Sequence, residues 1–217
     1  MVLPEELTKI FELYDYDDLN LCIANVDFSS NDFKVEFHMQ SVGMEGLDEL
    51  DEKWTLTATG HKDSRISFDY AASIVIEDEH PLLWKYLDTQ CELYFNGQYE
   101  DIPKLFVDLY DIHFEVFGHY SFIDMYLNIK KRRLCTLMQG NNGLLARGPK
   151  KLLTKYAECL KDHGIDYSII GERPPVYWNG TSFEPESAQL KVLFMGETDT
   201  YIVAEDFTFA KQDKINR

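Results

Sequence analysis

The chain has 217 residues, 45% of them hydrophobic and 14% aromatic, with 38 acids against 21 bases and a net charge of −17. That length can bury a self-sufficient core as one large domain or two small ones, and the composition excludes a disordered chain. The negative charge repels phosphate backbones and anionic lipid, so it argues against nucleic acid and membrane surfaces as partners and favours basic proteins.

In chain order, the first element is a helix over residues 4–14, with Leu7, Ile10, Phe11 and Tyr14 on one face and Glu5 and Glu6 in its first turn. The apolar period then falls to two. Residues 19–28, the Phe33, Val35, Phe37, Met39 series, the Trp54, Leu56, Ala58 series and residues 66–76 read as four consecutive strands. Joins such as residues 29–32 are too short for a parallel crossover, so the expectation is an antiparallel meander.

A short helix is expected near Pro81, then a strand through Cys91, Leu93 and Phe95 that ends at Asn96-Gly97. Asp101 is a good N-cap for a helix whose Leu105, Phe106, Leu109, Ile112, His113, Val116 and Phe117 form one stripe, and Gly118 ends it. Residues 134–138 and 144–147 read as a strand pair around the turn at 140–143. Gly148-Pro149 opens a second helix, which Gly164 caps in the left-handed conformation, with Ile165 as the apolar contact beyond. Two hairpins close the chain. One turns at Asn179-Gly180; the other joins residues 190–195 to 201–209. Arg173-Pro174-Pro175 is the best hinge candidate.

The fold class expected is therefore α+β: an N-terminal antiparallel meander packed by the Asp101 helix, followed by a smaller hairpin-helix-hairpin region. Charge divides the chain in the same sense. Residues 1–129 hold 27 acids and seven bases, residues 130–161 hold nine bases and one acid, Glu158, and residues 162–217 hold ten acids and five bases. The expected division is an acidic 1–129 and a basic-led 130–217, as two lobes or one continuous domain.

Cys22, Cys91, Cys135 and Cys159 are widely spaced within apolar periodic segments, which suits buried free thiols in a reducing compartment. The acidic start of the chain is unlike a secretory signal, and no window reaches the roughly 18 apolar residues of a membrane span. A cytoplasmic location is the expectation.

Catalytic and metal motifs are not found. The six histidines form no His-x-x-x-His pair, and no cysteine pair accompanies His113 and Glu115 to hold zinc. His113 lies on the apolar stripe and reads as a hydrogen-bonded core histidine. There is no Gly-x-Ser-x-Gly turn, and 38 acids single out no catalytic pair. No cofactor is expected.

Two charged constellations remain. Asp15, Asp17 and Asp18 form one acidic run, and Glu45, Asp48, Glu49, Asp51 and Glu52 another. They read either as a solvated surface or as a face for a basic partner, with Tyr16 and Trp54 as nearby anchors, in the manner of an inhibitor or immunity protein. The second constellation is Arg132, Arg133, Arg147, Gly148, Lys150 and Lys151 at a strand-to-helix turn. Backbone N–H groups and lysines there suit an anion, which would make the protein an enzyme or sensor for a phosphorylated small molecule. Internal balance against the acids of residues 1–129 is the alternative for this block, and a structural or adaptor subunit is the third functional reading.

Overall fold

The computed structural model describes residues 3–14, 17–28, 32–41, 49–129, 140–178, 181–185, 188–196 and 198–212. In chain order these form α1 (Glu5–Leu13), β1 (Leu19–Asp27), β2 (Phe33–Ser41), β3 (Leu50–Thr59), β4 (Asp63–Arg65) and β5 (Ile74–Glu77). A 3-10 turn at Pro81–Leu83 leads into α2 (Trp84–Leu87), followed by β6 (Gln90–Asn96), α3 (Ile102–Phe117), β7 (Asn142–Pro149) and α4 (Lys150–Asp162). The chain ends with β8 (Asp166–Arg173), β9 (Val176–Trp178), β10 (Phe183–Pro185), β11 (Lys191–Met195), β12 (Tyr201–Ala204) and β13 (Asp206–Lys211). The fold is mixed α+β with antiparallel sheets. Among the described residues no helix is long and apolar enough to cross a membrane.

Two compact units form, residues 1–80 with 188–217, and residues 81–187. The first holds two four-stranded sheets, ordered β1-β2-β3-β13 and β4-β12-β11-β5. Strict alternation drives the first sheet. Phe33, Val35, Phe37 and Met39 of β2 are buried while Lys34, Glu36 and His38 between them are half-exposed. Leu7 and Ile10 of α1 join the same core, with Phe37, Trp54 and Leu56 from the meander and Leu193, Ile202 and Phe207 from the C-terminal strands.

In the second unit β6 pairs antiparallel with β7 on one side and β8 on the other. Cys91, Leu93 and Phe95 of β6 are buried, and α4 lies against all three strands through a face that includes Leu152, Leu153, Tyr156 and Leu160. The Asp101 carboxylate accepts the Lys104 N–H at 3.2 Å and caps α3. At the end of α4, Gly164 takes φ +68°, and the Ile165 N–H donates back to the Leu160 carbonyl at 2.8 Å. This closes the helix as its glycine implies.

Several expectations need correction. The fourth strand of the meander is β13, paired with β3 from Lys211 opposite Trp54 to Asp206 opposite Thr59. β13 occupies the β3 edge that residues 66–73 were expected to fill. Only Ala71 bridges, to Leu21, and Phe68 and Tyr70 are largely exposed. The helix that packs the meander is α1, whereas α3 packs on α4. Residues 201–209 are two strands, because the chain passes between sheets at Glu205, whose N–H donates to the Thr59 carbonyl at 3.0 Å. β8 was not anticipated. It is an edge strand with only Ile169 half-buried, so it carries almost no apolar alternation.

The strand expected at 134–138 and the turn expected at Asn179-Gly180 lie outside the described residues; β9 and β10 pair antiparallel, Trp178 opposite Phe183. The charge step at residue 130 falls inside the second unit. Of the cysteines, Cys91 and Cys159 are buried free thiols, Cys22 is a half-buried one, and Cys135 lies outside the described residues.

The role of β13 is checked by mutation. Phe207→Ala empties a fully buried site and is expected to cost about 3–5 kcal/mol in urea unfolding. Its exposed neighbour Thr208→Ala should change stability by less than about 0.5 kcal/mol. Equal effects would remove β13 from the core.

Candidate functional site

The turn between β7 and α4 places the basic residues among carboxylates. Arg147 Nε lies 2.9 Å from Glu92 Oε1, across the β6–β7 pair where Glu92 and Arg147 face each other in register. Lys150 Nζ donates to Glu172 Oε1 at 2.6 Å, and this hydrogen bond holds the Lys150 pKa above its ordinary value. The first N–H groups of α4 are also taken. Lys150 N–H donates to the Thr89 carbonyl at 2.7 Å, and Lys151 N–H to Asp88 Oδ2 at 2.7 Å. Asp88 therefore occupies the helix N-terminus as a cap contributed by another segment. The Lys151 ammonium lies over the Trp84 ring, 5.6 Å from its centre. Arg132 and Arg133 lie outside the described residues.

The acidic residues are sorted by strand register. Leu19 opposes Ser41 and Ser41 opposes Leu50, so β1 and β3 start at the same end of the sheet. Asp17 and Asp18 immediately precede β1, and Glu49 immediately precedes β3. Two runs far apart in the chain thus meet at one sheet end, two strand spacings or about 10 Å apart. Asp51 stands on the outward face, 2.5 Å from His38 Nε2. Glu52, one residue on, points the other way. It accepts from Trp54 Nε1 at 3.1 Å and from Lys211 Nζ at 2.6 Å, with its side chain only 18% exposed. Trp54 is itself buried, so it is a core residue. Asp15, Tyr16, Glu45 and Asp48 lie outside the described residues.

Among the buried ionisable groups, His113 is engaged structurally. His113 is 2% exposed, and burial pushes its pKa down. Its neutral ring donates from Nε2 to the Ser121 carbonyl at 2.9 Å and accepts at Nδ1 from the Tyr156 hydroxyl at 2.8 Å. Burial raises the thiol pKa of Cys91, and that of Cys159 to about 11, which keeps both protonated at neutral pH. Among the described residues no cluster of three His, Cys, Asp or Glu side chains is placed to hold a metal ion.

Two arrangements escaped sequence reasoning. His163 bridges Asp108 Oδ2 at 2.6 Å and the Tyr99 hydroxyl at 2.5 Å, tying the end of α4 to α3 and to the loop before it. The three residues are spread over 64 positions, so no local motif announces them. The other is a cleft of about 450 Å³ over His113, walled by Tyr110, Phe114 and Phe122, each more than half exposed.

The chain matches no protein-family model, no curated protein and no solved structure. The functional reading therefore rests on geometry.

Stability should follow the buried His113 and the half-buried His61 and His80. Burial lowers the pKa of His61, His80 and His113 below the ordinary 6.5, so the unfolded chain takes up these protons first. The unfolding free energy is then full well above pH 6.5 and declines as pH falls through that value and below it. His113→Leu should cost about 2 kcal/mol by leaving the Tyr156 hydroxyl unpaired, and should make the decline shallower. Urea unfolding across this range checks both. An unchanged acid limb in the variant would contradict the buried, neutral role of His113.

Proposed function

We propose that the protein is a non-enzymatic interaction module that binds a basic protein partner through the acidic end of its first sheet, in the manner of an inhibitor or immunity protein. The observation that carries this reading is the strand register. It gathers Asp17, Asp18 and Glu49 at one end of the meander, with Asp51 on the adjoining outward face. A basic group seated between the two strand ends lies about half their separation of about 10 Å from each, inside the Debye length of about 8 Å at physiological salt, so both fields act on it.

Charge is also unevenly shared between the units. The first carries 24 acids and nine bases, the second 14 acids and 12 bases. A field of that sign steers cationic partners and speeds their encounter. The second unit, by itself, carries a surface of related chemistry. Tyr110, Phe114 and Phe122 are exposed aromatics, and Asp111, Glu115 and Asp124 beside them are exposed carboxylates. Aromatic anchors with a charged rim are the usual composition of a protein interface.

Glu52 is not part of the proposed face, because Lys211 and Trp54 hold it inward.

The test uses a lysine-rich peptide as the cationic probe and compares two triple reversals of equal charge. Asp17, Asp18 and Glu49 are each changed to Lys in one variant, and the exposed Glu77, Asp78 and Glu79 in the other. The first should weaken binding about tenfold or more, the second about threefold or less, and the difference should shrink as salt rises. Equal losses would mean that only net charge matters and that the sheet end is no docking face.

A further inference from the structure

The cleft over His113 is built by one helix and the segment that returns from it. Tyr110 and Phe114 stand one turn apart on α3, their rings 6.3 Å between centres and 18° from parallel. Gly118 ends the helix at φ +56°, and its N–H donates to the Phe114 carbonyl at 2.7 Å. His113 Nε2 then ties the helix to the returning segment, donating to the Ser121 carbonyl at 2.9 Å. A 3-10 turn at Ile123–Met125 follows, and Phe122 and Asp124 from this segment join the lining.

The side chains beneath have their polar atoms occupied. The Tyr156 hydroxyl meets His113 Nδ1 at 2.8 Å, the Ser121 carbonyl meets Nε2, and the Ser121 hydroxyl donates to the Met125 sulfur at 3.7 Å. What the cleft presents to a ligand is therefore ring faces and charge. Among the described lining residues Asp124 is the one carboxylate, and there is no lysine or arginine. The Asp124 charge is felt at the base of the cleft. Burial lowers the His113 pKa, while the Ser121 carbonyl and the Asp124 carboxylate act against that. Asp111 and Glu115, each next in sequence to a ring of the wall, are exposed acids of the same sign.

An aromatic ring is negative over its face, so rings and carboxylate alike favour a cation. The kind of cation follows from its hydrogen-bonding needs. A lysine ammonium brings three donors and an arginine guanidinium five, and each donor must be met once it leaves water. A quaternary ammonium brings none, and its methyl groups pack on ring faces. We propose that this cleft binds the quaternary ammonium head of a small organic cation against the rings of Tyr110, Phe114 and Phe122, with Asp124 as counter-ion. Its volume of about 450 Å³ lies within the roughly 300–1,000 Å³ of small-molecule sites, which leaves room for the chain that carries the head. The site stands apart from the acidic sheet end, since its described lining belongs wholly to the second unit.

The probe is choline, titrated into the isotope-labelled full chain and followed by amide NMR shifts. The control is 3,3-dimethylbutan-1-ol, which has the same shape with carbon in place of the charged nitrogen. Saturable shifts centred on residues 110–124 are expected with Kd about 1 mM or tighter, and the control should bind at least about tenfold more weakly. Phe114→Ala and Asp124→Asn should each weaken choline binding about fivefold, whereas Phe114→Trp should keep or tighten it. Phe114 and Asp124 are exposed, so these replacements leave the core intact. Val107→Ala, exposed on α3 but outside the lining, should change binding by less than about twofold. The proposal is overturned if no saturable shift occurs up to about 20 mM, or if the neutral control binds as well as choline. Tighter binding of ethylguanidinium than of choline would also overturn it, by making the cleft a seat for an arginine side chain.

Discussion

In the first sheet Leu19 lies opposite Ser41 and Ser41 opposite Leu50, and the ladder runs in register from there through β2 and β3. A slip of one residue would turn Val35, Phe37 and Met39 to water and bury Lys34, Glu36 and His38. The register is therefore held by the burial of those side chains, each worth about 1.5–3 kcal/mol when fully removed from water. Surface chemistry follows from the same constraint. Once the rows are aligned, the residues just before β1 and β3 emerge together, and they are acids. The bulge between Ile23 and Asn25 shifts the register of β1 only towards its far end, so the acidic end keeps its alignment.

Register also organises the second unit, with the opposite sign of charge. Gln90 sits between Pro149 and Arg173, while Glu92 faces Arg147 two residues along. The basic block is thus partly answered by local carboxylates: Glu92 for Arg147, Glu172 for Lys150 and Asp88 for the N-terminus of α4. Because Asp88 takes the helix end, the first N–H groups of α4 are answered within the chain.

The helices were legible in the sequence because their signals are local. Asp101, Gly118 and Gly164 act where they stand, and His113 on an apolar stripe reads as the core histidine it is. The meander strands were legible for the same reason, through their period of two. Its closing strand was not, because β13 reaches β3 from the far end of the chain and displaces residues 66–73 from the edge they were expected to fill. Half of the candidate acidic face was readable as runs of acids. Alternation along β3 puts Glu52 on the face opposite Asp51, but the cation that answers it there, Lys211, lies 159 residues away. Arg173 carried no local signal either. It lies opposite Gln90 across the β6–β8 pair, and pairing partners are a non-local property.

A negative surface created by strand register at one end of the first sheet is detectable by NMR relaxation of backbone amides with a cationic and an anionic nitroxide cosolute, taken as a ratio at each residue. The cationic probe should be favoured most at Asp17, Asp18 and Glu49 and less at Thr55 and Thr57 further along the sheet, and the contrast should fade with salt. A ratio at Asp17, Asp18 and Glu49 no higher than at Thr55 and Thr57 would contradict it.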